Sequence, residues 1–160
     1  MKLVPAVVAL SVLLLGGCAT ATPEAGPTPA PTETTVAEDG ACAADEVALQ
    51  VDFGSLGADQ VKECGPAGIA ADALDAAGIT TEGTADYGDQ VVCRVDDLPA
   101  PDVESCATLP ANAYWALWIK VAGAAEWEYA QEGVASQPVE AGDALALVYT
   151  EGTDTTAPQD

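Results

Sequence analysis

The sequence predicts an α+β fold, with one small mixed or antiparallel β-sheet, a single helix packed on one face of it, and two disulfides. Three observations support this prediction. Apolar residues alternate with a period of two in several segments, and one segment alone shows helical spacing. Four cysteines follow the N-terminal region. Strands that outnumber a single central helix are typical of α+β domains, and a β-grasp-like arrangement with the first strand beside the last fits this order.

The N-terminal region predicts export and lipid anchoring. Lys2 is followed by an apolar stretch, residues 3–15, which is too short to span a bilayer. The run Leu15-Gly16-Gly17-Cys18 resembles the bacterial lipobox, in which cleavage precedes the cysteine and the cysteine is acylated. We therefore expect residues 1–17 to be a lipoprotein signal peptide and Cys18 to carry the lipid. An ordinary secretory signal with an incidental cysteine is the alternative.

The remaining chain divides by composition into a spacer, a domain and a tail. Residues 18–41 are rich in Thr, Pro and Ala without apolar periodicity, which predicts a disordered spacer after the lipidated cysteine. Residues 42–152 carry the periodic segments and form one small domain. Residues 153–160 are interpreted as a flexible tail. The predicted location is the extracytoplasmic side of the cell membrane.

The first half of the domain contains two predicted strands and the helix. Residues 46–53 alternate cleanly, and residues 60–64 predict a shorter partner strand. Residues 69–77 repeat apolar side chains at helical spacing. Gly78 follows where a left-handed helix cap favours glycine. Because so short a helix is marginal alone, we expect it to dock on the sheet.

The second half of the domain is predicted to be extended. Residues 80–85 and 90–95 favour strands, residues 96–112 form a proline-rich loop, and residues 144–149 form the last strand. Between them lies an aromatic hairpin that contains all three tryptophans within thirteen residues, 115–127. Aromatic and β-branched residues favour a pleated, half-buried surface.

The aromatic hairpin presents two faces because side chains alternate along a strand. One face consists of Trp115, Leu117, Ile119 and Val121, and it is predicted to be core. The other includes Tyr114 and Trp118, and Trp127 and Tyr129 on the next strand extend it. We interpret these four rings as a platform for a flat or apolar ligand. The alternative is that they cover the helix or a loop, or form a second half of the core.

The cysteines predict an oxidised, stapled domain. Without Cys18 four remain, which allow three pairings. We favour Cys93–Cys106, which closes a short loop, and therefore Cys42–Cys64 by elimination; the other pairings stay open. Loops of these sizes contribute about 3 kcal/mol each in the chain-entropy model.

Charge and missing residue types narrow the function. The net charge is −22, with 26 acidic and 4 basic residues, which argues against nucleic acid as a partner. The chain has no histidine, so the usual general base and imidazole metal ligands are absent. No P-loop or Gly-x-Ser-x-Gly elbow occurs. We therefore predict a protein that is not an enzyme and has no metal site and no required cofactor.

Arg94 has two interpretations. It lies opposite Cys93 in the alternating strand and is one of few basic residues. It could serve as an anion handle for a ligand. The favoured alternative is a cross-strand pair with a nearby acid, worth about 0.2–1 kcal/mol.

The order of short motifs resembles one family. The runs Val51-Asp52-Phe53-Gly54, Ala73 to Ile79, Val92-Cys93-Arg94-Val95-Asp96 and Tyr114-Trp115-Ala116-Leu117-Trp118 are similar to the transcobalamin-like C-terminal domain of exported actinobacterial proteins. Two departures fall where a ligand would touch. Glu132-Gly133 replaces the Asn-Gly common in relatives, and Leu147-Val148-Tyr149 stands where they often carry Trp.

The resemblance implies a ligand-binding domain that supports uptake, with a corrinoid such as cobalamin as the candidate ligand. It also implies a partner, either a vitamin or cobalt transporter or a second exported binding protein. The alternative function is a protein-interaction or envelope-structural module without a small-molecule ligand.

Overall fold

The computed structural model describes residues 41–108, 110–153 and 156–159, and the predicted signal peptide, Cys18 and almost all of the spacer lie outside them. The described elements, in chain order, are β1 (Glu46–Asp52), β2 (Val61–Pro66), β3 (Gly68–Ile69), α1 (Ala70–Ala76), β4 (Thr81–Thr84), β5 (Gly88–Val95), β6 (Ala113–Lys120), β7 (Glu128–Tyr129), β8 (Pro138–Val139) and β9 (Ala144–Glu151). Among these residues, no helix is long and apolar enough to cross a membrane.

The main sheet has five strands in the order β2-β1-β9-β6-β7. β1 runs parallel to β9 and antiparallel to β2, and β6 is antiparallel to both β9 and β7. The prediction of a mixed sheet with the first strand beside the last is confirmed. Two short ribbons, β3-β8 and β4-β5, lie outside this sheet, so the predicted strands around residues 80–85 and 90–95 pair with each other instead of joining it.

The main core lies between one face of the sheet and α1. Leu49 of β1, Leu74 of α1 and Leu147 of β9 are each at most 2% exposed and belong to one buried cluster. The helix ends as predicted, because Gly78 follows it with a φ of +81° and Ile79 returns into the core. The α+β fold with one docked helix in the described chain is therefore confirmed.

Two disulfides each join a strand to a segment outside the strands. Cys42 bonds to Cys64 on β2, and Cys93 on β5 bonds to Cys106 in the long loop. These are the two pairings that the sequence favoured. The second bond fastens the loop that precedes β6 to the ribbon beside it.

The opposite face of the sheet carries a second, smaller buried cluster. It contains Ala116 and Trp118 of β6 with Ala146 and Val148 of β9. The C-terminal segment lies on it: Ala157 packs against the cluster, Pro158 is buried, and Gln50 Nε2 donates a hydrogen bond of 3.2 Å to the carbonyl of Gln159. The flexibility of residues 153–160 stays a prediction, but the described tail residues contact the sheet.

Candidate functional site

The structure brings the four predicted platform rings together on one face. Trp118 lies directly opposite Tyr129 in the β6–β7 register, and their ring centroids are 5.2 Å apart at 68°. Tyr114 is partly buried and packs against the same cluster as Trp118. At the other end of the cluster, Lys120 Nζ lies 5.9 Å from the centroid of the Trp127 ring. The alternation of β6 therefore follows the predicted pattern as far as Ile119. The prediction that Val121 belongs to the core was wrong, because the strand ends at Lys120 and Val121 is 54% exposed in the turn that follows.

Exposure separates these rings into different roles. Trp118 is only 7% exposed and lies inside the second cluster, whereas Tyr129 is 41% exposed. Trp118 therefore matches the alternative interpretation, in which these rings form a second part of the core. Tyr129 is the most exposed of the four rings, Tyr114 and Trp127 are half-buried, and the four rings therefore do not form one open platform.

A cleft opens where β7 ends. β7 has only two residues, so beyond the hydrogen bond from Ala130 N to Leu117 O the outer edge of β6 has no paired strand within the described part of the chain. The space between this edge, β5 and residues 129–134 is a cavity of about 440 Å³. Tyr114 and Tyr129 both line it, and Pro110 from the long loop contributes to its rim. The cleft therefore joins two predicted site residues to the end of the sheet.

The walls of the cleft are mostly apolar. Leu117, Val134 and Leu147 line it and are buried members of the main core. Glu132 is the sole residue of ionic charge at neutral pH among its described lining residues, and its side chain is exposed. The cleft therefore has a negatively charged entrance at Glu132 and apolar side chains in its interior.

Trp115 lines the cleft and carries a buried, unpaired donor. It is 6% exposed, and its Nε1 has no hydrogen-bond partner among the described residues. Its ring is held edge-on by Phe53 and Tyr149, with centroids 5.5 and 5.3 Å away. An unpaired buried donor costs about 1–3 kcal/mol, and Trp118 Nε1 on the second face is also buried and unpaired among these residues.

Sequence reasoning placed Trp115 in the core and did not identify it as a site residue. The prediction that the Trp115 side chain lies on the core face of β6 was correct, since Trp115 belongs to the main buried cluster. The overlooked signal is chemical. A core tryptophan still needs an acceptor for its indole N–H, and the neighbouring sequence offers mainly apolar side chains.

Gly133 sets the width of the cleft. A Cβ built on this residue would lie 1.9 Å from the carbonyl oxygen of Gln90 on β5. Only glycine allows the backbone to approach this closely, so residues 130–134 can close against the ribbon. In the sequence, Gly133 was noted only within the family resemblance, and its effect on the width of the cleft was not predicted.

The phenol of Tyr129 at the cleft is neutral at physiological pH. Burial, followed by the neighbouring Tyr114, raises the pKa of Tyr129 to about 12. Tyr149, behind Trp115, also has a raised pKa because of its burial and the nearby carboxylates of Glu151 and Glu104. Both rings therefore present neutral hydroxyl groups.

Arg94 lies elsewhere and is bound by the protein. It is 5% exposed and does not line the cleft. Its Nε donates to Pro99 O at 2.7 Å, its Nη2 donates to Glu104 O at 2.6 Å, and its Nη1 pairs with Glu82. Glu82 is its cross-strand neighbour, as the favoured alternative required. We therefore leave Arg94 out of the proposed site.

Two other places in the described chain, a cysteine–glutamate cluster and a second cavity, lack the features of the cleft. Cys42, Glu46 and Cys64 lie close together, but the two sulfurs are bonded to each other and offer no thiolate for a metal. A second cavity of about 590 Å³ lies beside β4 and the loop at Cys106, and its lining is largely backbone and small side chains. Neither place combines an apolar wall with an unpaired buried donor.

Comparisons with known proteins provide no relative. No protein-family model, no curated protein and no solved structure matches the chain.

Proposed function

We propose that this protein is a lipid-anchored, extracytoplasmic binding protein for a small, largely apolar ligand, and that the cleft beside β6 is its binding site. The observation that carries this proposal is the mostly apolar cleft of about 440 Å³, which Tyr114, Trp115 and Tyr129 line. Ligand sites are typically apolar cavities of about 300–1,000 Å³ with a few fixed polar groups. Tyr114 and Tyr129 form the accessible aromatic wall, and Trp118 and Trp127 support it from the second face.

The proposed role is binding and not catalysis. The chain contains no histidine, and Glu132 is the only carboxylate among the cleft's described lining residues. A hydrolase would need a nucleophile beside a base or a pair of opposed carboxylates. No required cofactor and no metal are part of the proposal.

The family proposal rests on the motif order of the sequence. We infer membership in the transcobalamin-like C-terminal domain family, and a corrinoid as one candidate ligand, from the residues that resemble it. The strand order β2-β1-β9-β6 with α1 following β2 supports the β-grasp-like part of this inference. A corrinoid is larger than the cleft, so it would insert one edge and leave the rest for a second exported binding protein or a transporter.

The second candidate function is a protein-interaction module. The free outer edge of β6 and the exposed ring of Tyr129 favour it, because an extended peptide can add to such an edge. Under this alternative the cleft would accept a side chain of the partner protein.

Direct binding measurements test the proposal. The full chain carrying Cys18→Ser is titrated with the neutral apolar dye Nile red, and then with cobalamin and cobinamide by equilibrium dialysis. Tyr129→Ala should raise the dissociation constant at least about fivefold, since a stacked ring contributes about 1 kcal/mol or more. Tyr87→Ala is the matched control, because Tyr87 is 54% exposed and does not line the cleft.

The outcomes separate the proposals. Saturable dye binding that Tyr129→Ala weakens and Tyr87→Ala does not would support the cleft as the site. Binding of the dye without binding of either corrinoid would remove the corrinoid proposal alone. Absence of saturable binding by all three compounds would leave the interaction module as the better function.

A further inference from the structure

We propose that the cleft selects an organic cation, namely an alkylated ammonium group on an apolar body. This inference rests on the proposed function, because it assigns a ligand class to the same cleft. It follows from two features of the cleft: its aromatic walls and its charge.

The aromatic walls offer the surface that such a cation prefers. Tyr114, Trp115 and Tyr129 all line the one cavity. The faces of aromatic rings carry negative electrostatic potential and attract ammonium groups, and cages of two or three rings bind quaternary ammonium ions. The pKa of Tyr129 is raised to about 12, so its ring contributes as a neutral phenol at physiological pH.

Acidic groups surround the accessible ring. Glu132 lies at the rim of the cleft, and a neighbouring cavity of about 350 Å³ shares Tyr129 and Glu132 with it and adds Glu128. Tyr129 therefore stands between two cavities that both contain a carboxylate. These carboxylates would draw a cation to the rings by a screened Coulomb attraction.

No basic group lines the cleft to receive an anion. The described basic residues are Lys62 on β2 at the far edge of the sheet, Arg94 paired with Glu82, and Lys120 over Trp127. None of them is among the lining residues. A carboxylate or phosphate would lose its hydration in this cleft without a compensating charge, in a protein of net charge −22.

Three probes of nearly the same shape test the inference. Choline is a cation with a hydroxyl, 3,3-dimethyl-1-butanol is its neutral isostere, and 3,3-dimethylbutyrate is the corresponding anion. Each competes against Nile red on the full chain carrying Cys18→Ser, and saturation-transfer NMR reports direct contact with the trimethyl group. Choline should bind at least about fivefold more tightly than the alcohol, and the anion should bind most weakly.

Two charge variants locate the effect. Glu132→Gln should weaken choline about three- to tenfold while leaving the neutral alcohol unchanged, because it removes the rim charge but not the side-chain volume. Glu63→Gln removes an exposed charge on β2, which is at the opposite edge of the sheet, and should change neither ligand. Raising the salt concentration should weaken choline alone.

The failures are distinguishable. Equal or tighter binding of the alcohol or the anion would overturn the cation inference and leave the apolar cleft as the binding site. Nile red binding without any competition from the three probes would overturn it as well. If Nile red itself does not bind, both the proposed function and this inference are wrong.

Discussion

The buried guanidinium of Arg94 makes a quantitative prediction about the long loop. Arg94 is 5% exposed and donates to the carbonyl oxygens of Pro99 and Glu104 at 2.7 and 2.6 Å. It therefore ties the loop between β5 and β6 to the ribbon, in addition to the Cys93–Cys106 bond. The perturbation is Arg94→Met, which keeps an unbranched side chain and removes the donors.

The magnitude follows from the two carbonyl contacts. A hydrogen bond from a charged donor contributes about 1.5–3 kcal/mol to the free energy of unfolding. This contribution is lost in full when the donor is removed and the carbonyl acceptor stays buried and unpaired. Losing two such bonds predicts a decrease of about 3 kcal/mol or somewhat more in the free energy of unfolding. Because small domains unfold with about 5–15 kcal/mol, the variant should still fold.

Glu82 provides the matched comparison. It is the ionic partner of Arg94, but its side chain is 57% exposed. Glu82→Gln removes this carboxylate at a position where water screens the ion pair. The expected decrease in the free energy of unfolding is therefore about 0.2–1 kcal/mol. Arg94→Lys should fall between the two variants, since one ammonium group cannot reproduce the planar fork of the guanidinium.

Urea denaturation of the three variants and the parent chain, followed by tryptophan fluorescence, measures these differences at constant slope. If Arg94→Met and Glu82→Gln lose the same free energy within about 0.5 kcal/mol, the carbonyl contacts do not dominate and the reasoning is wrong. Nile red binding by Arg94→Met should be unchanged. A loss of binding in a stable, folded Arg94→Met protein would restore Arg94 as a ligand contact.

Three further predictions follow from other contacts. Replacing Cys93 and Cys106 by serine should lower the free energy of unfolding by about 3 kcal/mol, because their bond closes a short loop with a sequence separation of 13. Thermal unfolding with and without reductant checks this value. The pKa of Tyr129 is raised to about 12, which favours the protonated phenol in the folded state. The stability that this provides is present below pH 10 and is lost as the pH rises from 10 to 12. Tyr129→Phe should flatten this part of the profile of unfolding free energy against pH, and an unchanged profile would contradict the prediction. Deleting residues 156–160 should uncover the second cluster and shift tryptophan emission to longer wavelength, because Ala157 packs against the cluster that contains Trp118. An unshifted spectrum would mean that the tail does not shield this cluster.

Local patterns predicted the elements of this fold well. The alternation along residues 46–53 and 144–149 corresponds to β1 and β9, and the helical spacing over residues 69–77 corresponds to α1. Gly78 and the two cysteine pairings were also correct. Each of these features depends on residues close in sequence or on a small number of combinations, which is why a single sequence is informative about them.

Long-range placement could not be predicted in the same way. The hydrogen bond between Gln50 and Gln159 spans 109 residues, and nothing in the composition of the tail indicates which surface it covers. The separate ribbon of β4 and β5 has a comparable origin. Its alternating residues would suit a strand of the main sheet equally well, and only the pairing decides between them.

The candidate site depends on the length of one strand more than on its aromatic content. The alternation of β6 correctly separated Trp115 from Tyr114 and Trp118, but it described two faces and not an edge. Because β7 pairs only with Trp118 and Ile119, the first half of β6 keeps an open edge, and side chains from both faces meet there. Tyr114 reaches this edge from one face and Trp115 from the other, and both line the cleft. A longer β7 would have filled this space with a strand and left the same aromatic residues without a site.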